Sequence, residues 1–72
     1  MANQINKVLL KQIALRLKQL RMSKKLTQNE LYEDTGINIG RIERGINDLS
    51  ISSLSRICDY FEITIEEFFK EI

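Results

Sequence analysis

The sequence predicts an all-α domain of five helices. The chain has no proline and three glycines, so long helices meet few breaks. Its apolar residues recur at helical rather than alternating spacing. A hydroxyl residue followed three positions later by glutamate occurs twice, each time opening an apolar run. Seventy-two residues, 43% hydrophobic and 29% charged, fit a single soluble domain with one core.

The first helix covers about residues 5–22. Val8, Leu9, Ile13, Leu17 and Leu20 supply its periodicity, and Lys11, Arg16, Lys18 and Gln19 fill its other side. An end near Ser23–Lys25 puts cations where the helix dipole favours them. Thr27-Gln28-Asn29-Glu30 is a capping box that starts a short second helix through Leu31 and Tyr32. Glu33-Asp34-Thr35-Gly36 breaks it with two cap-forming side chains and a glycine. A third helix follows, from about Gly36 to Arg44, and stops at Gly45. Ser50 caps a fourth, about 50–61, with Leu54, Ile57, Cys58 and Phe61. Thr64-Ile65-Glu66-Glu67 is the second capping box and opens a last helix, about 64–71.

Several functional classes are excluded. A lone Cys58 makes no internal disulfide, and without histidine there is no Cys/His zinc site, so no metal or cofactor is expected. Cys58 reads as a small core residue. No nucleophile–base pair or carboxylate cluster suggests an enzyme. No apolar run reaches the roughly 18 residues of a membrane span. The polar start Met1-Ala2-Asn3-Gln4 does not resemble a signal peptide. A reduced, cytoplasmic setting is the expectation.

The net charge of +1 conceals an asymmetry. Residues 1–45 hold nine Lys/Arg against four acids, a balance of +5; residues 46–72 hold two against six, a balance of −4. That division suits a basic surface facing a polyanion and an acidic one facing away.

Two short helices joined by a glycine-containing turn, the second ending in Glu-Arg-Gly, mark a DNA-binding helix-turn-helix at about residues 27–45. The run Leu26-Thr27-Gln28-Asn29-Glu30-Leu31, followed by Ile42-Glu43-Arg44-Gly45, resembles the phage-repressor-like (Xre-type) helix-turn-helix family. The closing pattern Leu54, Ile57, Phe61, Ile63-Thr64 and Phe68 fits as well, so the resemblance extends over about residues 13–69. It implies a sequence-specific transcriptional regulator binding double-stranded DNA, of repressor type, from a bacterium or mobile element. It also implies that Gln28 contacts phosphate and supports the recognition helix, and that Arg21 and Glu43 form a structural ion pair.

Between Leu31 and Gly45 the chain is about three residues shorter than the family's usual spacing. Two placements are open. Asp34 or Thr35 caps a full recognition helix, Gly36–Arg44; or Gly36 is the turn glycine and Asn38 the cap, leaving barely six helical residues. The first is preferred, because six residues give less than two turns to project into a groove. At 100° per residue Ile39 and Ile42 then face the core. Ile37, Gly40, Arg41 and Arg44 form the exposed face, with Asn38 at its edge, and together these five are the expected base contacts. Arginine reads guanine O6 and N7, and an exposed isoleucine can touch a thymine methyl. Gln28, Thr27, Asn29, Asn47 and Lys24 (or Lys25) are the expected phosphate contacts, near the donor-rich start of the second helix.

One recognition helix covers few base pairs, so a homodimer on a palindromic site is expected. Its surface is assigned to the chain ends, Ile5, Val8 and Leu9 with Phe68, Phe69 and Ile72, which a small monomer cannot all bury. No small-molecule effector is expected. The alternative is an antitoxin-like or adaptor module that uses the same fold to hold a protein partner.

Overall fold

A computed structural model describes residues 5–72. The expectation about Met1–Gln4 lies outside the described residues. Among these it contains α1 (Lys7–Ser23), α2 (Gln28–Thr35), α3 (Ile39–Glu43), α4 (Ile51–Tyr60) and α5 (Ile65–Lys70), and no strand. Among the described residues no helix is long and apolar enough to cross a membrane.

Each helix starts behind a side-chain acceptor. Asn6 Oδ1 accepts the Leu9 N–H at 3.0 Å, and Ser50 Oγ accepts that of Ser53 at 3.0 Å. Both capping boxes close in both directions. The Glu30 and Glu67 amides donate to the threonine hydroxyls at 3.0 Å, and the Thr27 and Thr64 amides donate to the glutamates at 2.8 Å. Each such cap contributes about 1 kcal/mol to its helix.

The ends of α1 and α4 are alike. Lys25 and Glu62 adopt the left-handed conformation, with φ of 58° and 59°. The next amides, Leu26 and Ile63, reach back to the carbonyls of Arg21 and Cys58. These are Schellman closures with a charged residue where glycine is usual.

The core gathers Ile13 and Leu17 of α1, Leu31 of α2, Ile39 and Ile42 of α3, Leu54, Ile57 and Cys58 of α4, and Phe61 and Phe68. α1 packs on α3, α2 on α3 and α4, and α4 on α5. Phe68 is 0% exposed, so the assignment of this ring to a dimer contact is corrected: it closes the core. The reason is its place one turn inside the Thr64 box, opposite Ile63, where the box aims the fourth helical residue inward. Phe69 is half-buried, and Ile5 and Ile72 are exposed. Arg16 fastens α5 to α1: its Nε donates to the Phe68 carbonyl at 2.9 Å, and its guanidinium lies 5.6 Å from the centre of the Phe68 ring. Burial raises the pKa of the Cys58 thiol, which keeps it protonated and unreactive.

Candidate nucleic-acid interface

The turn between α2 and α3 differs from the preferred sequence reading. α2 continues through Glu33, Asp34 and Thr35 instead of stopping after Tyr32, and Gly36 ends it at φ 72°. α3 then begins at Ile39, capped by Asn38, whose Oδ1 accepts the Arg41 N–H at 3.0 Å. The full helix Gly36–Arg44 is therefore corrected to five residues, the second of the two placements. Thr35 is buried and cannot cap outward; its hydroxyl donates to the Leu31 carbonyl at 2.7 Å and accepts the Ile37 amide at 3.1 Å. Asp34 is engaged elsewhere, accepting the Tyr60 hydroxyl at 2.7 Å. Arg56 of α4 donates to the Thr35 carbonyl and secures the end of α2.

The register change moves one base contact. Ile37 is 8% exposed and belongs to the core, so its assignment to the DNA face is corrected. The 100° placement assumed a helix from Gly36 onward, whereas the Asn38 cap, at ψ 91°, is extended. Arg41 and Arg44 are exposed, on the last turn of α3 and at its C-cap. Asn38 is exposed, with its carbonyl oxygen committed to the cap.

Gly40 faces α2 closely. A Cβ there would stand 3.0 Å from Gln28 Oε1, so the missing side chain lets the Gln28 amide lie against α3. From that position Gln28 Nε2 donates to Glu43 Oε1 at 3.0 Å. Arg21 completes the arrangement. Its Nε donates to Glu43 Oε2 at 2.7 Å, its Nη2 to Glu43 Oε1 at 3.0 Å, and its Nη1 to the Leu26 carbonyl at 2.8 Å. The Arg21 and Glu43 side chains are 12% and 5% exposed. One carboxylate thus joins the end of α1, the start of α2 and the end of α3.

The electrostatics follow from this contact. Burial pushes the Glu43 carboxyl up, but the hydrogen bonds from Arg21 and Gln28, with the charges of Arg21 and Lys18, outweigh it. The carboxyl is held below its ordinary range. The hydrogen bond to Glu43 outweighs burial in raising Arg21 further.

Around this pivot lies a polar groove lined by Gln28, Asn29, Tyr32, Asn38, Ile39 and Gly40. Thr27, Asn29 and Lys24 are exposed beside it or on the preceding turn, and Asn47 is half-buried in the loop after α3. The structure brings Gln28, Asn29, Asn38 and Gly40 together; Asn47 lies apart from that groove. Tyr32 was missed from the sequence. Its signal was available: an aromatic one helical turn after Gln28, about 100° round the helix from Leu31, with a hydroxyl able to donate to phosphate.

The profile of a helix-turn-helix family matches residues 17–68. The chain belongs to the phage-repressor-like (Xre-type) helix-turn-helix family. In these terms α2 and α3 are the helix-turn-helix, α3 is its recognition helix, and the family is one of DNA-binding regulators. No curated protein and no solved structure matches the chain. Within the match α3 is only five residues long, whereas α2 keeps its full two turns.

Proposed function

We propose that the protein is a sequence-specific transcriptional regulator of repressor type that binds a palindromic DNA operator as a homodimer. The observation that carries this reading is the exposed pair Arg41 and Arg44 on a helix held against the start of α2 by the Arg21–Glu43–Gln28 contact. A fixed helix with free arginines suits bidentate recognition of guanine. Arg41 and Arg44 read base edges, and Asn38 offers its amide N–H groups at the start of the same helix. Gly40, with no side chain, lets Gln28 lie against the helix and so sets the amide where it supports the base-reading arginines.

Phosphate contacts come from the start of α2, where the first amides lack intrahelical partners. Gln28, Asn29, Thr27 and Tyr32 surround that end, with Lys24 and Asn47 flanking it. These contacts fix register and carry little sequence information. A five-residue recognition helix reaches fewer bases than a longer one, which increases the dependence on two copies.

Selection from a randomised duplex pool, followed by mobility shift at several salt concentrations, tests the proposal. An inverted-repeat sequence should be enriched. With about four to six phosphate contacts per subunit, log affinity should fall steeply against log salt. A pool without enrichment, or a flat salt response, overturns the reading and leaves the adaptor alternative.

A further inference from the structure

α1 has a second face on which an exposed apolar side chain recurs every seventh residue, with glutamines between. Leu10, Ile13, Ala14 and Leu17 face inward and are buried. On the opposite side Val8, Gln12, Leu15, Gln19 and Met22 are all exposed, Val8 at 69% and Leu15 at 63%. Their separations alternate between four and three residues, the a/d seam of a coiled coil. Exposed Ile5 stands just ahead of the helix cap. A solvated helix face has no need of aliphatic side chains at that spacing.

We propose that this stripe is the contact with a second copy of the chain, two α1 helices packing in parallel and in register. The inference rests on the homodimer reading above and names its surface. The amides point to self-pairing. In a parallel pair Gln12 meets Gln12 and Gln19 meets Gln19, and an amide both donates and accepts, so each pair satisfies itself. Val8, Leu15 and Met22 then meet their own kind. In an antiparallel pair a positions meet d positions, setting Gln12 against Leu15 and Gln19 against Val8, and the amides would be buried without partners.

Charge selects the same orientation. One flank of the stripe carries Lys11 and Lys18. The other carries Arg16, whose guanidinium is committed to the carbonyls of Phe68 and Glu67, together with Glu71 and Ile72 beside Gln12, Leu15 and Gln19. Parallel packing turns the lysine flank of one copy toward the flank of the other that carries both Arg16 and Glu71, where the carboxylate offsets the guanidinium charge. Antiparallel packing sets lysine against lysine, which is repulsive.

From Val8 to Met22 the seam is about 21 Å long, little more than two heptads. The free dimer is therefore weak, forming at tens of micromolar, and a palindromic site completes it by holding both copies.

Sedimentation velocity on the full chain, with Leu15→Glu and Val8→Cys variants, tests the proposal. Wild type should dimerise in that range. Leu15→Glu should weaken dimerisation roughly 30-fold or more, keep its helical circular dichroism because Leu15 is exposed, and bind a single half-site within twofold of wild type. Under mild oxidant Val8→Cys should cross-link to itself, since parallel packing brings the two positions together while native Cys58 stays buried. A Leu15→Glu variant that remains dimeric overturns this surface and leaves the homodimer reading standing. A wild type that stays monomeric both free and on the palindrome overturns both. Failure of Val8→Cys to cross-link in a dimeric sample overturns the parallel orientation.

Discussion

The junction from α1 to α2 and the junction from α4 to α5 follow one backbone plan. Each ends its first helix with a left-handed charged residue, Lys25 or Glu62, then an apolar residue, Leu26 or Ile63, and then a threonine capping box. Each places a buried side chain, Leu31 or Phe68, on the fourth residue of the new helix, where it can staple back to the apolar residue before the cap. What differs is the side chain at the position whose carbonyl closes the Schellman turn. In the first junction it is Arg21, which ties α3 and α2 through Glu43; in the second it is Cys58, sealed in the core. Equal local geometry thus supports a charged pivot in one place and apolar packing in the other. The backbone plan sets where helices turn, and the side chains decide which turn can present a surface to a ligand.

The largest effect should come from separating those roles. Arg21→Met leaves the nearly buried Glu43 with only the Gln28 amide, and should cost roughly 3 kcal/mol. Cys58→Ala, at the matching position, should cost about 1 kcal/mol from lost packing alone. Thermal melts of the two variants measure the difference. The pH response distinguishes them further. Glu43 has a depressed pKa, so its contribution is complete above the unfolded carboxylate value of about 4.3 and disappears as pH falls through the folded value. Melts below about pH 4.3 should therefore show a steeper loss for wild type than for Glu43→Gln. Cys58→Ala should keep the wild-type acid slope. Equal acid slopes for wild type and Glu43→Gln would mean that the pivot contributes nothing to stability.

Much of this plan was legible in the sequence. The Thr-x-x-Glu pairs, Ser50 and the apolar spacing of α1 are local signals, and local hydrogen bonds realise them. The recognition helix was not legible in the same way. Glu33-Asp34-Thr35-Gly36 offers several possible caps, and the choice depends on tertiary contacts: Tyr60 engages Asp34, Arg56 takes the Thr35 carbonyl, and the core takes Ile37. The left-handed Lys25 and Glu62 were also hidden, because glycine is the usual marker of that conformation. Phe68 and Phe69 form an adjacent apolar pair, and it is the place of Phe68 on the fourth residue after the Thr64 cap that turns it, rather than Phe69, inward.

The next effect belongs to DNA binding. Arg41→Ala should cost about 1–3 kcal/mol at one base position and relax the preference there. Gln28→Ala should weaken all sequences by a similar factor. Because Arg41 is exposed, its variant should melt like wild type. Binding measured against single-substituted operators distinguishes the two patterns. If Gln28→Ala changes base preference and Arg41→Ala does not, the assigned roles are reversed.

Smaller still are the two caps. Thr27→Ala and Thr64→Ala should each lower stability by about 1 kcal/mol, since the boxes have equal geometry. Only Thr27→Ala should also weaken DNA affinity, because its helix carries Gln28 and Asn29. Melting curves and mobility shifts on both variants make the comparison; an equal loss of affinity would assign the effect to global stability.

The smallest expected effect lies at the left-handed residues themselves. A side chain at φ near 60° is disfavoured by roughly 1 kcal/mol, and glycine removes that penalty while losing more conformational entropy on folding. Lys25→Gly and Glu62→Gly should therefore each shift stability by under about 1 kcal/mol, in the stabilising direction, and by similar amounts. Their DNA behaviour should differ. Lys25 is exposed two residues before the Thr27 cap and next to Lys24, a phosphate contact in the proposed complex, and its loss should reduce the salt slope by up to about 1. Glu62 lies in the acidic half of the chain, and its replacement should leave the slope unchanged. Affinity titrations across a salt series read this directly. Equal slopes for Lys25→Gly and wild type would place the first junction off the phosphate backbone and confine the interface to α2 and α3.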